Sequence, residues 1–192
     1  GGGTPTFLQP DEIKRLGSII HRHFGETEGC EAGVEVDPRR LTKEHVTALW
    51  EAGFNRASMG VQDNNAKVQK AVNRIQPMDI TRASVNWLRE TGFESINIDL
   101  IYGLPFQTES SFEKTLDEIM GLSPNRLAVF SYAHVPWIKP AQKILERNNL
   151  PTPETKLNLL KLIIEKLTSG GYVYIGMDHF ARPDDELAVA QN

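Results

Sequence analysis

The sequence predicts an α/β protein built on a parallel sheet, and three observations point there. A helical segment runs into a Gly-aromatic turn and an apolar strand at 51–62 (EAGFNRASMGVQ), 90–103 (ETGFESINIDLIYG) and 168–179 (TSGGYVYIGMDH). Gly92 follows Gly53 by 39 residues and Gly171 follows Gly92 by 79, close to twice that. About forty residues is what one helix, one strand and two short loops occupy. The apolar runs also stop on polar residues: Gln62, Asp99 and the pair Asp178/His179. Helix and strand in alternation give parallel strands joined by right-handed crossovers. Near-uniform unit length favours a barrel or partial barrel over an open doubly wound sheet. The two differ in strand order, which the sequence does not carry.

The elements follow in order. Pro10-Asp11-Glu12 ahead of Ile13, Leu16, Ile19 and Ile20 opens an amphipathic helix with an acidic first turn. Residues 33–37 alternate and stop at Pro38, giving a strand with Glu35 and Asp37 near its end. Thr42 caps a helix that carries Val46, Leu49 and Trp50 on one face. A strand at 55–62 and a helix at 79–91 come next. SINIDLIY at 95–102 is the most β-like run, broken by Gly103 and Pro105. A helix at 110–122 leads to a strand at 126–133. Prolines interrupt 134–153, which reads as a long loop with a helical piece. The clearest helix is 154–168, with Leu157, Leu160, Ile164 and Leu167 at helical spacing and Gly170-Gly171 at its end. A last strand at 172–177 runs into a polar tail. No flexible linker divides the series, so residues 1–192 read as one domain.

Bulk composition narrows the function. The chain is 40% hydrophobic and 24% charged, with net charge -4, so nothing global calls for nucleic acid or a membrane surface. The lone Cys30 excludes an internal disulfide framework and fits a reducing cytosol. No apolar run approaches the roughly 20 residues that span a bilayer, and no secretory signal is visible. The opening GGGTP has no strand before it. Its glycines read either as a tag remnant or as a functional loop whose upstream strand is missing.

In a parallel barrel the carboxyl ends of the strands converge on one mouth. That mouth would receive Glu35, Asp37, Gln62, Asp99, Tyr132, His134, Asp178 and His179, a ring suited to a ligand with several hydrogen-bonding groups. With Ile98 and Leu100 inward, however, Asp99 points the other way. Arg74 lies in the loop after the Gln62 strand, where a guanidinium can meet a carboxylate, against the plainer reading of a solvated arginine. Gly1 to Pro5 offers close backbone approach to a charged ligand group. The exit Tyr102-Gly-Leu-Pro-Phe-Gln-Thr is mostly turn chemistry, with Thr108 capping the next helix. His134, Asp178 and His179 are the candidate metal set. Adjacent Asp178 and His179 project to opposite faces of a strand, which favours structural or substrate contacts instead. Cys30 reads as a bystander.

Taken together, GGGTP, VEVDP, FNRASMGVQ, VNR, NIDLIYGLPFQT, FSYAHVP and GMDHFARPDDELAVAQ resemble the oxygen-independent coproporphyrinogen III oxidases, radical S-adenosylmethionine (SAM) enzymes of haem biosynthesis. The resemblance runs over essentially the whole chain. GGGTP and GLPFQT are shared with wider radical SAM relatives, whereas GMDHFARPDDELA is specific to the oxidase and argues against the related haem chaperone. The resemblance implies a parallel partial (β/α)6 barrel of the radical SAM type, incomplete here at the N-terminus. It also implies a [4Fe-4S] cluster and two SAM molecules. A 5′-deoxyadenosyl radical would abstract hydrogen from a propionate, which loses carbon dioxide and leaves a vinyl group. Two propionates of coproporphyrinogen III would react in this way, giving protoporphyrinogen IX.

By the same resemblance, Gly2 and Glu35 contact the cluster-bound SAM, and Gly3, Thr4, Gln62, Arg74, Asp99 and Ala133 line the second. The residue types agree, because an amide, a carboxylate and an arginine suit a zwitterionic amino acid and ribose hydroxyls. One departure is decisive. The CxxxCxxC loop expected ahead of GGGTP is absent, and Cys30 cannot replace three thiolates. The family's C-terminal domain is absent as well. The expectation is therefore an internal fragment that by itself binds no cluster and turns nothing over. Its parent would be a cytoplasmic, monomeric oxidoreductase acting on coproporphyrinogen III with an electron donor, and without nucleic acid or membrane. The alternatives are a haem-binding chaperone on the same barrel and an ordinary metal-dependent β/α enzyme using His134 and His179.

Overall fold

The computed structural model describes residues 4–25 and 29–191. In chain order the elements are a 3-10 turn Pro5–Phe7, α1 (Pro10–Phe24), β1 (Gly33–Val36), α2 (Lys43–Glu51), β2 (Arg56–Gln62), α3 (Ala66–Ala71), α4 (Met78–Thr91) and β3 (Ser95–Tyr102). They continue with α5 (Glu109–Met120), β4 (Arg126–Ser131), a 3-10 helix Pro140–Arg147, α6 (Pro153–Ser169), β5 (Val173–Gly176), β6 (His179–Ala181) and α7 (Glu186–Gln191). The strands form one sheet in the order β1-β2-β3-β4-β6-β5. It is mostly parallel and not closed, as the expected partial barrel requires. The chain divides into two compact units, one of residues 1–60 with 78–98 and the other of 61–77 with 99–192.

In the first unit, local signals start each helix. Pro10 occupies the first turn of α1, and a reciprocal Gln9/Glu12 capping box closes it, the Gln9 N–H donating to Glu12 Oε2 at 2.7 Å. Thr42 caps α2 by accepting from the His45 N–H. β1 and β2 pair in parallel, with Glu35 opposite Ser58. Asn55 ties the strand entries together, accepting from Ala32 N–H at 2.9 Å and donating to the Cys30 carbonyl at 3.2 Å. The core gathers Val36, Val46, Leu49, Met59, Val85, Leu88 and Ile98.

α1 departs from the simple amphipathic reading: Ile13 and Gly17 are buried, while Leu16, Ile19 and Ile20 are exposed. The reason is a close crossing. A Cβ placed on Gly17 would lie 2.5 Å from Ala52 Cβ, so the helix touches the end of α2 along its Gly17 line. Gly17→Val is therefore expected to destabilise the protein by about 2 kcal/mol through overpacking. Ser18→Val, one position round on the exposed face, should stay within about 0.5 kcal/mol of wild type. Thermal denaturation of the full-length protein checks both.

In the second unit, α5 and α6 pack together, and Lys166 bridges to Glu113 (3.0 Å) and Asp117 (2.9 Å). Phe112, Leu116, Leu127, Ile163 and Phe180 fill the core. The C-terminal region differs from expectation. The strand expected at 172–177 does not continue a parallel series: β5 turns back on β6, which is antiparallel both to β5 and to β4. Gly176 pairs with His179, leaving Met177 and Asp178 as a two-residue turn with φ of 48° and 68°. Two left-handed residues make the I′-type turn that matches strand twist. Asp178/His179 thus forms a hairpin corner. The expected polar tail also folds. Asp185 receives Arg126 Nε at 2.9 Å and caps α7 by accepting from Leu187 N–H at 2.9 Å, while Glu186 takes Arg126 Nη2 at 2.6 Å. The acidic run of the oxidase-like signature is a clamp on the start of β4.

Candidate functional site

β2 is apolar through Val61, which is fully buried, and then Gln62 takes φ of 71°. A non-glycine residue in that region costs about 1–2 kcal/mol and persists only where its surroundings dictate it. Here the dictating neighbour is Asp63, 1% exposed. Its Oδ1 accepts from Asn65 N–H (2.7 Å) and Thr115 Oγ1 (2.9 Å), and its Oδ2 from Gln107 Nε2 (2.6 Å). Gln107 also donates to the Ile101 carbonyl at 2.8 Å and accepts from Leu104 N–H at 2.8 Å, which fixes the β3 exit. Gln69 donates to the Asp63 and Gln76 carbonyls at 2.9 and 2.7 Å, which fixes the loop after α3. Burial pushes the Asp63 carboxyl above its ordinary value, and the hydrogen bonds hold it back only in part.

These fixed segments frame a cleft of about 570 Å³ in the second unit. Gln62, Asn73 and Arg74 supply polar lining, and Ile101, Leu104 and Tyr132 the rest of that side. Gln62 Oε1 is buried and has no hydrogen-bond partner among the described residues. Asn73, like Gln62, adopts a positive φ, 54°. The facing wall is the Pro140–Arg147 3-10 helix, through Gln142, Ile144 and Leu145. Gln142 pins that wall to the β4 exit, accepting from Val135 N–H at 2.6 Å and donating to the Ala133 carbonyl at 3.0 Å. Gly103, at φ 86°, lets Lys156 pass; a Cβ there would meet Lys156 Cε at 2.8 Å. Lys156 Nζ then reaches the Tyr132 carbonyl at 2.9 Å.

Among the sequence-predicted residues, Gln62 and Arg74 meet in this cleft. Asp99 is half-buried on the same face of β3 as the cleft-lining Ile101, so pointing away from Ile98 and Leu100 is what turns it to that side. Ala133 is exposed and is not part of the cleft lining, but its carbonyl accepts from the cleft-lining Gln142. In the first unit, Thr4 Oγ1 donates to the Glu35 carbonyl at 3.3 Å, and the Glu35 side chain is exposed. Gly2 and Gly3 lie outside the described residues. Asp37 is held by Arg39 at 2.6 Å. His134 and His179 have separate partners: His179 Nδ1 lies 2.6 Å from the Met177 carbonyl, and His134 contacts Tyr132 and Glu146. Among the described residues no group of three or more His, Cys, Asp or Glu is placed to hold a metal ion.

Sequence reasoning missed Asp63, Gln142, Ile144 and Leu145, and it placed Asn73 in the loop with Arg74 without giving it a role. For Asp63 the signal was weak, since its side-chain partners lie 44 and 52 residues away. A guanidinium, an unsatisfied buried carbonyl oxygen and an apolar wall suit a zwitterion with an apolar body.

The chain belongs to the radical SAM superfamily, whose profile matches residues 1–119. Its relatives are more particular. It is 51% identical over 191 residues to the oxygen-independent coproporphyrinogen III oxidase of Escherichia coli, and 47% identical over 191 residues to that of Synechocystis. These matches cover all of this chain and 42% and 41% of the respective relatives. The solved structure of the Escherichia coli coproporphyrinogen III oxidase, described as a radical SAM enzyme, superposes with a TM-score of 0.95 over 99% of this chain and 44% of that one. The chain thus spans less than half the length of the relatives it matches.

Proposed function

We propose that this chain is the SAM-binding core of an oxygen-independent coproporphyrinogen III oxidase, converting coproporphyrinogen III to protoporphyrinogen IX by oxidative decarboxylation in haem biosynthesis. The observation that carries the reading is whole-chain identity of 51% to a protein of that name. The profile match over 1–119 includes parts of both compact units, which supports reading 1–192 as one core domain.

The cleft residues fit a SAM molecule. The Gln62 amide, whose Oε1 lacks a partner among the described residues, meets the amino-acid end. Arg74 pairs the carboxylate, and Asp99 takes ribose hydroxyls. The Ala133 backbone, presented by Gln142, and the apolar wall of Ile144 and Leu145 hold the base. In the first unit, Gly2, Gly3, Thr4 and Glu35 are further proposed SAM contacts. When bound, SAM supplies hydrogen-atom abstraction from the propionate. This chain's part is to bind, orient and shield. The cluster does not fit here: a [4Fe-4S] centre takes thiolates, and the sequence holds one cysteine, exposed Cys30.

We read the intact protein as a cytoplasmic monomer served by an electron donor, with no nucleic-acid or membrane partner. Among the described residues no helix is long and apolar enough to cross a membrane. The test is anaerobic turnover by a full-length protein carrying this chain. SAM-dependent vinyl formation from coproporphyrinogen III is expected. Tight stoichiometric haem binding without decarboxylation would favour a haem chaperone instead.

A further inference from the structure

Tyr132, which lines the cleft, and the two side chains that follow it in a chain of contacts, His134 and Glu146, have no role in SAM binding as proposed. Tyr132 lines the cleft just beyond β4. Its hydroxyl lies 3.2 Å from His134 Nδ1, and His134 Nε2 lies 3.4 Å from Glu146 Oε1 on the 3-10 wall. The backbone of Tyr132 is held as well. Its N–H donates to the Tyr102 carbonyl at 2.8 Å, and its carbonyl accepts from Lys156 Nζ at 2.9 Å.

For a neutral His134 ring, the two contacts define the proton positions. An ionised carboxylate can only accept, so His134 Nε2 carries a hydrogen toward Glu146. In a neutral imidazole Nδ1 is then the acceptor, and the Tyr132 O–H donates to it. Burial raises the Tyr132 pKa, so the phenol keeps that proton. With its one proton committed to His134, Tyr132 offers the cleft only oxygen lone pairs. Gln62 Oε1, which lines the same cleft, is a second acceptor with no donor among the described residues. Two acceptors beside an apolar wall call for a ligand that brings N–H donors.

We propose that Tyr132 is a ligand-binding residue, set by His134 and Glu146 so that its hydroxyl oxygen accepts a hydrogen bond from an ammonium or N–H group of the molecule in the cleft. His134 and Glu146 are positioning residues. The proposal rests on the cleft being a ligand site of the oxidase. Two ligands of that reaction carry the required group: SAM through its ammonium, and the porphyrinogen through its pyrrole N–H.

The test uses anaerobically reconstituted full-length protein and two readouts, equilibrium dialysis of labelled SAM and the KM for coproporphyrinogen III. Tyr132→Phe is expected to weaken one of the two ligands about tenfold, the effect of losing one good hydrogen bond. His134→Ala should weaken the same ligand, and His134→Asn, which restores an acceptor near the Nδ1 position, should recover most of it. The Tyr132→Phe/His134→Ala double variant should be no worse than Tyr132→Phe alone, as members of one chain of contacts behave. A shifted SAM affinity assigns the ammonium; a shifted coproporphyrinogen KM alone assigns the pyrrole. Tyr132→Phe and His134→Ala both binding both ligands like wild type would overturn the proposal. Gln62→Ala separates the two levels. If it weakens SAM binding while Tyr132→Phe alters neither ligand, the cleft reading stands and the Tyr132 role falls; if both are silent, the cleft reading falls too.

Discussion

Asp63→Ala is expected to lower the stability of the full-length protein by about 3 kcal/mol. Three donors converge on this carboxylate from Asn65, Gln107 and Thr115, and the residue is 1% exposed. Each buried donor left without a partner costs about 1–3 kcal/mol, partly offset because a charge is no longer buried. The loss should also reach the cleft, because Gln107 carries the constraint to the Ile101 carbonyl and Leu104 N–H. Asp63→Asn keeps the volume but turns an NH2 toward one of those donors, at about 1–2 kcal/mol.

Wild type and the Asp63→Asn variant also differ in their response to pH. Asp63 has its native pKa raised above the ordinary 3.8, burial being the largest cause. A raised carboxyl stabilises the fold fully below its unfolded pKa, and that contribution fades as pH climbs through the native value. An asparagine side chain does not titrate, so the penalty of Asp63→Asn should be greatest near the unfolded pKa, about 4, and shrink toward neutrality. Thermal denaturation of both proteins across that range checks the sign; a penalty that grows with pH would refute it.

Gln62→Gly should move stability and binding in opposite directions. The native φ of 71° is free for glycine and strained for glutamine, and the buried Oε1 without a partner among the described residues disappears with the side chain. Against these gains stands the greater unfolded-state freedom of glycine, about 0.5–1 kcal/mol. The net expectation is a protein about 1 kcal/mol more stable that binds SAM at least about tenfold more weakly. A residue kept only for packing would lose stability when so truncated. That difference in sign distinguishes a strained binding residue from a core residue, and a melting temperature paired with a binding isotherm reads it.

Much of this was legible because periodicity reports one-sided burial. SINIDLIY, expected as a strand at 95–102, is β3 with the alternating exposure its pattern required, and 154–168 lies within α6, although the helix buries Leu159, Ile163 and Leu167 while Leu157 of the expected set is exposed. Gln62 and Arg74 were readable as a strand end and the loop after it, and they share the cleft. What escaped has local causes. α3 has six residues, too few to show a period, although Asn65 caps it as such residues do. The Met177-Asp178 turn lacks the glycine or asparagine that usually announces two left-handed residues, so the hairpin was read as a parallel strand running into a polar tail. The wall carrying Gln142 and Ile144 lies in a proline-broken stretch where nothing in sequence says which face turns inward. The Asp63 hub joins residues far apart in the chain, and only the fold brings them together.

The central claim is that the cleft of Gln62 and Arg74 holds SAM. Its most direct test is the number of labelled SAM molecules retained per chain by anaerobically reconstituted full-length protein, wild type against the Gln62→Gly/Arg74→Ala double variant. The expected result is two molecules on wild type and one on the variant at a concentration that saturates wild type. Equal stoichiometry and equal affinity in the two proteins would contradict the assignment.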